Sequence, residues 1–157
     1  MLYKTIISAD DLKINLDNDD FLIFDSRCDI KDSGYGIDSY TEGHIPNAIF
    51  VDVDTDLASE KRPGTGRHPL PDPYTFSEKL SHWGMSNNKQ VVVYDDAGGA
   101  FAGRLWWMLK WLGHEAVAVL DGGLNSWVKG GNKLVTTPTV FEKAHFEPCI
   151  QENMIAT

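Results

Sequence analysis

Four short apolar runs, each closed by an aspartate, constrain this chain more than any other feature. Phe21-Leu22-Ile23-Phe24 stops at Asp25, Ala48-Ile49-Phe50-Val51 at Asp52, Gln90-Val91-Val92-Val93-Tyr94 at Asp95, and Ala116-Val117-Ala118-Val119-Leu120 at Asp121. Continuous apolar runs of this length, without polar alternation, are strands buried on both faces. A shorter strand at Thr5-Ile6-Ile7 opens the chain, ahead of a helix capped by Ser8. Segments of helical period fill the gaps at 10–16, 74–83, 101–112 and 124–129. In the third, Phe101, Leu105, Met108, Leu109 and Leu112 share one helix face, and Gly113 ends it. Strands alternating with helices predict an α/β domain, a central parallel sheet of about five strands with right-handed crossovers and helices on both faces.

Composition agrees with a single core. A chain of 157 residues, 42% hydrophobic, buries enough surface to fold without disulfide or metal staples. Cys28 and Cys149 make no framework and no secretory leader precedes them, so a reducing compartment, the cytoplasm, is expected. No apolar run approaches the roughly 20 residues of a membrane span. The net charge of −9 comes from the first half: residues 1–78 carry 16 acids and 7 bases, residues 79–157 carry 7 of each. That balance excludes a nucleic-acid surface, which needs clustered bases. Arg62, Arg67 and Arg104 are scattered, leaving room only for a small anion site. No repeat or polar linker divides the first 140 residues, so one domain over 1–140 is expected, with a tail or the start of a linker at 141–157.

In a parallel sheet, ligands sit beyond the carboxyl ends of the strands, which directs attention to the aspartates. After Val91–Tyr94, the loop Asp95-Asp96-Ala97-Gly98-Gly99 leads into the Phe101 helix. Backbone N–H groups there would cradle an anion, but a carboxylate already stands in that place. Asp95 reads as a cap accepting those N–H groups, with a nucleophile or metal ligand as the rival. Asp52-Val53-Asp54-Thr55-Asp56 superficially resembles the two-aspartate strand end of haloacid-dehalogenase-type phosphotransferases. Asp56 stands where that pattern wants Thr or Val, so the segment reads as a solvated strand end. The proline-set loop Arg67-His68-Pro69 holds a histidine that could relay protons with a carboxylate such as Asp54. Cys28 has only Arg27 to favour a thiolate, and Cys149 lies in the tail. The five histidines show no metal-ligand spacing, so neither a metal nor another cofactor is expected. Trp106, Trp107 and Trp111 spread around one helix, which implies cover on more than one side, by the core or by a partner.

The order of these features resembles the rhodanese family. Phe24-Asp25-Ser26-Arg27, Gly43-His44-Ile45-Pro46-Asn47-Ala48, Val91–Gly99, Arg104-Leu105-Trp106-Trp107 and Asp121-Gly122-Gly123-Leu124-Asn125-Ser126-Trp127 carry it, and the details look closest to the first half of two-domain thiosulfate or 3-mercaptopyruvate sulfurtransferases. The resemblance implies a rhodanese-like fold and sulfur transfer through a cysteine persulfide. In active domains of the family a cysteine follows the strand, and here Asp95 stands there, so the resemblance implies a catalytically silent half. Its expected partners are a second rhodanese domain in the same polypeptide and a small sulfur donor, with no nucleic acid or membrane. Asp54, His68 and Arg67 are expected in the interdomain site, and the Trp helix on the interdomain face. The rival is a stand-alone pseudo-rhodanese that binds or regulates without turnover. A phosphatase on the same fold would need a Cys-x5-Arg loop, which is absent.

Overall fold

The computed structural model describes residues 3–58 and 70–154. Five parallel strands, β1 (Ile6–Ile7), β2 (Phe21–Asp25), β3 (Ala48–Phe50), β4 (Gln90–Tyr94) and β5 (Val117–Leu120), form one sheet in the order β1-β5-β4-β2-β3. Helices α1 (Ala9–Ile14), α2 (Tyr35–Glu42), α3 (Pro73–His82), α4 (Ala102–Trp111) and α5 (Gly123–Lys129) alternate with them, and a single 3-10 turn lies at Glu152–Met154. The α/β architecture is the one expected. The Ser8 side chain accepts from the Asp11 amide at 3.1 Å, as an N-cap should. In β4 every residue is buried, and alternate side chains feed opposite cores. Val91 and Val93 join Phe24, Phe76, Leu80 and Leu105 on the α3 and α4 side. Val92 and Tyr94 join Leu12, Tyr40, Leu124 and Trp127 on the side of α1, α2 and α5.

Helix α2 was not visible in the sequence pattern. Its Tyr35-Gly36-Ile37-Asp38-Ser39-Tyr40-Thr41-Glu42 buries only Gly36 and Tyr40, so no apolar stripe announces it. It forms because the β2-to-β3 crossover must pass over the sheet, where the Tyr40 hydroxyl donates to the Ala48 carbonyl at 2.6 Å. The next motif turns the chain into β3: Asn47 takes φ 72°, and the buried His44 ring stacks on Tyr40 with centroids 3.7 Å apart. The strand order reverses between β2 and β4. Crossover α2 lies on one face and α4 on the other, which makes the carboxyl ends of β2 and β4 the switch crevice.

Residues 141–154, read from sequence as a tail, lie along α3 and α4. The Ala144 amide donates to Ser81 O at 2.8 Å, the Phe146 amide to Ser81 Oγ at 2.9 Å, and the Cys149 and Gln151 amides to the carbonyls of Leu112 and Trp111 at 2.8 and 2.7 Å. Gly113 permits this fit. It has φ 82°, and a Cβ there would stand 2.5 Å from the Cys149 carbonyl oxygen. Phe146 is buried against His114, with ring centroids 5.8 Å apart. Phe146→Ala should therefore lower unfolding free energy by about 3–5 kcal/mol in urea titrations, as expected of a core residue.

Burial lowers the His114 pKa, against the opposing pull of the Lys89 and Ala116 carbonyls, so the folded protein holds the ring neutral. In the unfolded chain the ring titrates near about 6.5. Above that value the contribution is constant; as pH falls from there through the lower folded value, the unfolded state takes the proton first and stability is lost. His114→Gln keeps a donor for the Lys89 carbonyl and removes the titration. The advantage of the unsubstituted protein over this variant should shrink as pH falls through about 6.5 toward the lower folded value, when unfolding is followed by denaturant.

Candidate functional site

The switch crevice is built on a buried ion pair. Asp25 ends β2, and two residues later the Arg27 guanidinium returns to it, Nη2 donating to Oδ2 at 2.7 Å and Nε lying 3.1 Å from both oxygens. Arg27 Nη2 also donates to the Gly43 carbonyl at 2.7 Å, and the Tyr94 hydroxyl donates to Asp25 Oδ2 at 2.7 Å while accepting from the Ile45 amide at 3.1 Å. Burial works to lower the Arg27 pKa, but Asp25 outweighs it and the net shift is upward. Tyr94 is pushed well above its ordinary value by burial and by the Asp25 charge, so its proton stays on the hydroxyl and is given to Asp25.

Across the crevice, Asp95 points its carboxylate at the start of α4. Oδ1 accepts from the amides of Ala97 and Gly99 at 3.0 and 2.9 Å, and Oδ2 from those of Phe101 and Ala102 at 2.9 and 2.8 Å. Four converging N–H groups, with the helix dipole behind them, make an anion cradle, and the buried carboxylate fills it. Gly123 approaches the same loop so closely that a Cβ would stand 2.5 Å from the Asp95 carbonyl oxygen, which accepts instead from the Leu124 amide at 3.0 Å. Asp96, the next residue, accepts a hydrogen bond from the Tyr35 hydroxyl at the start of α2. That bond, with burial adding to it, raises the Tyr35 pKa.

Asp54 lies half-buried beyond β3, its amide donating to Asp52 Oδ1 at 2.9 Å. His68 and Arg67 fall outside the described residues. Cys28 shares a crevice of about 10 Å³ with Arg27 and the carboxylates of Asp29, Asp32, Asp52 and Asp54. Cys149 is exposed, and neither cysteine forms a disulfide. Sequence reasoning passed over Arg104 as one scattered base. Its Nη2 donates to the Leu57 carbonyl at 2.9 Å, holding α4 against the segment that carries Asp54, and burial lowers its pKa. Tyr35 was also missed, since only the fold brings it to Asp96.

The three tryptophans of α4 take different places. Trp111 is buried in the core and stacks on Trp107 at 6.0 Å; Trp106 and Trp107 are half-buried, Trp106 donating to the Lys4 carbonyl at 3.0 Å. Much of the helix is thus covered by the chain's own residues. Among the described residues, no helix is long and apolar enough to cross a membrane.

The chain matches the family profile described as "Rhodanese-like domain" over residues 8–130. It is 43% identical over 144 residues to a "Probable 3-mercaptopyruvate sulfurtransferase" of Pseudomonas aeruginosa, covering 90% of this chain and 51% of that protein. It is 35% identical over 122 residues to the thiosulfate sulfurtransferase of Rattus norvegicus, covering 75% of this chain and 39% of the relative. The solved 3-mercaptopyruvate sulfurtransferase of Leishmania major superimposes with a TM-score of 0.84 at 30% identity, over 94% of this chain and 42% of its own. The chain spans about half the length, or less, of these relatives.

Asp95→Ala would leave four amides without their acceptor. It should cost about 2–4 kcal/mol of unfolding free energy, beyond the loss of a single cap. Asp95→Cys places a sulfur where the carboxylate stands. Thiol titration by ultraviolet absorbance should find it ionising below the ordinary value of about 8.5, because the same amides favour a thiolate.

Proposed function

The chain belongs to the rhodanese family, and from that premise we propose that it is the catalytically silent half of a sulfurtransferase. The complete enzyme would move a sulfane sulfur from thiosulfate or 3-mercaptopyruvate to cyanide or a thiol. The observation that carries the reading is the Asp95 carboxylate occupying the four-amide cradle. In active members of the family a cysteine thiolate belongs there, and a carboxylate cannot accept sulfane sulfur and pass it on. The relatives' greater length supports a second rhodanese domain as the bearer of the nucleophile. In that domain a cysteine thiolate would attack the outer sulfur of thiosulfate and release sulfite. Cyanide would then take the sulfur from the persulfide and leave as thiocyanate, restoring the thiolate.

On this reading the chain contributes one wall of the interdomain cleft. Asp54, His68 and Arg67 contribute to that cleft, Asp54 and His68 as a proton relay, and Arg104 braces the Asp54 segment. The half-buried Trp106 and Trp107 belong to the interdomain face.

Sulfur transfer should be measured on the chain alone and on the complete gene product, with each donor and with cyanide as acceptor. The chain alone should show no turnover. In the complete product, His68→Ala should lower kcat by about 10²-fold, the lower end of a general acid or base contribution, while Cys28→Ser and Cys149→Ser leave it unchanged. Turnover by the chain alone that disappears in Cys28→Ser would overturn the proposal. A complete product that contains no second domain and transfers no sulfur would favour the binding-module reading instead.

A further inference from the structure

On the side of Asp95 away from Arg27, the carboxyl ends of β1, β4 and β5 enclose a second feature, a cavity of about 240 Å³. Part of its lining is apolar: the exposed Ile6, the half-buried Val119 and the buried Leu120. Two glycine pairs, Gly98-Gly99 and Gly122-Gly123, supply the facing backbone, all four with positive φ. A Cβ at Gly98 would meet nothing within 4 Å, and one at Gly99 would meet only Val119 at 4.0 Å, so open space lies directly against these peptide planes.

The polar lining is anionic. Asp121 is exposed, and its carboxylate makes no hydrogen bond or ion pair with any described residue; Asp96 also lines the cavity, accepts from the Tyr35 hydroxyl and lies within electrostatic reach of Arg27. Asp95 borders the same space, but its carboxylate is spent on the α4 amides. Two carboxylates beside an apolar wall, with no basic side chain among the lining residues, repel an anion and favour a cation that carries carbon. No group of three or more His, Cys, Asp or Glu side chains among the described residues is placed to hold a metal ion. The volume is below the roughly 300–1,000 Å³ of a drug-sized ligand pocket, which is the scale of one long side chain.

We propose that this cavity receives an arginine side chain from a protein partner. The methylenes would lie along Ile6 and Val119 with the charge left at the rim. The planar guanidinium would stack on glycine peptide planes that present no Cβ, and its forked donors would reach Asp96 and Asp121. Lysine offers no plane to stack, which is why the geometry selects arginine. The net charge of −9 steers a basic partner toward the chain before contact. The inference does not depend on sulfur transfer, because it uses neither the cradle nor the Asp54 segment.

The probe is N-acetyl-arginine amide, titrated into the ¹⁵N-labelled chain, with the neutral isostere N-acetyl-citrulline amide, N-acetyl-lysine amide and a free polyamine as comparisons. Saturable shifts of the Gly98, Gly99, Gly122 and Gly123 amides by the arginine probe alone, weakened by added salt, are expected. Asp121→Asn should weaken binding about tenfold, the loss of one charge-assisted hydrogen bond, and since Asp121 is exposed the variant folds as the parent does. Asn125→Lys, which puts a cation on the rim, should abolish the shifts. Absence of shifts, equal shifts with citrulline, or no effect of Asp121→Asn overturns the proposal. Equal affinity for the lysine probe overturns the choice of arginine, and tighter binding of the polyamine overturns the assignment to a protein side chain.

Discussion

The Asp25–Arg27 pair is the interaction around which the rest of this domain is arranged. Both side chains are buried, at 0% and 5% exposure, so each gives up hydration worth several kcal/mol, and only good geometry repays it. The geometry here is complete. The guanidinium is bidentate on the carboxylate and also reaches the Gly43 carbonyl, and Tyr94 supplies a further donor to Asp25. Removing either partner would strand a buried charge, which typically costs about 3–5 kcal/mol. Because Asp25 ends β2, Tyr94 ends β4 and Gly43 precedes β3, the network sets three strand ends relative to one another. Tyr35 can meet Asp96 only because those ends are held.

Asp95 solves a different electrostatic problem in the same crevice. The start of α4 converges four amides on one point, and such a point requires negative charge. A thiolate, a bound anion or a fixed carboxylate would each satisfy it, with different consequences. A thiolate gives chemistry and a bound anion gives affinity, whereas a fixed carboxylate gives rigidity and closes the cradle to anything else. The reading of this chain as the silent half of a sulfurtransferase follows from that exclusion. The cavity over β5 lies one strand further along, where the Asp96 and Asp121 carboxylates reverse the preference and invite a cation.

The strands were legible because each is a short apolar run stopped by a charge, and α4 was legible because Leu105, Met108 and Leu109 repeat at helical spacing. Helix α2 was not, since a helix that buries only a glycine and a tyrosine has no stripe to read. Residues after 140 show no strand or helix period and read as a tail, yet Phe146 is buried and four amides between Ala144 and Gln151 bond to α3 and to the end of α4. Sequence pattern misses this kind of docking because it depends on backbone bonds and on a few irregularly spaced apolar side chains, Phe146, Ile150 and Met154, that pack on the core. The Gly43–Ala48 motif was legible as a resemblance, but its work is structural: His44 braces the chain against Tyr40 and Thr137, with ring nitrogens 2.8 and 2.9 Å from their carbonyl oxygens.

What the sequence determined by itself is local: which segments are strands, that they run parallel, that Ser8 caps α1, and that a carboxylate rather than a thiol stands where β4 gives way to α4. These follow from side-chain period and from the chemistry of adjacent residues, which act over a few positions. The tertiary structure alone decided that Tyr94 serves Asp25 across 69 residues, Tyr35 serves Asp96 across 61, and Arg104 holds Leu57 across 47. It also decided that Gly123 sits against the Asp95 carbonyl. Such pairs meet only when the sheet takes the order β1-β5-β4-β2-β3, and strand order is set by how two cores pack on one sheet, which no local pattern encodes.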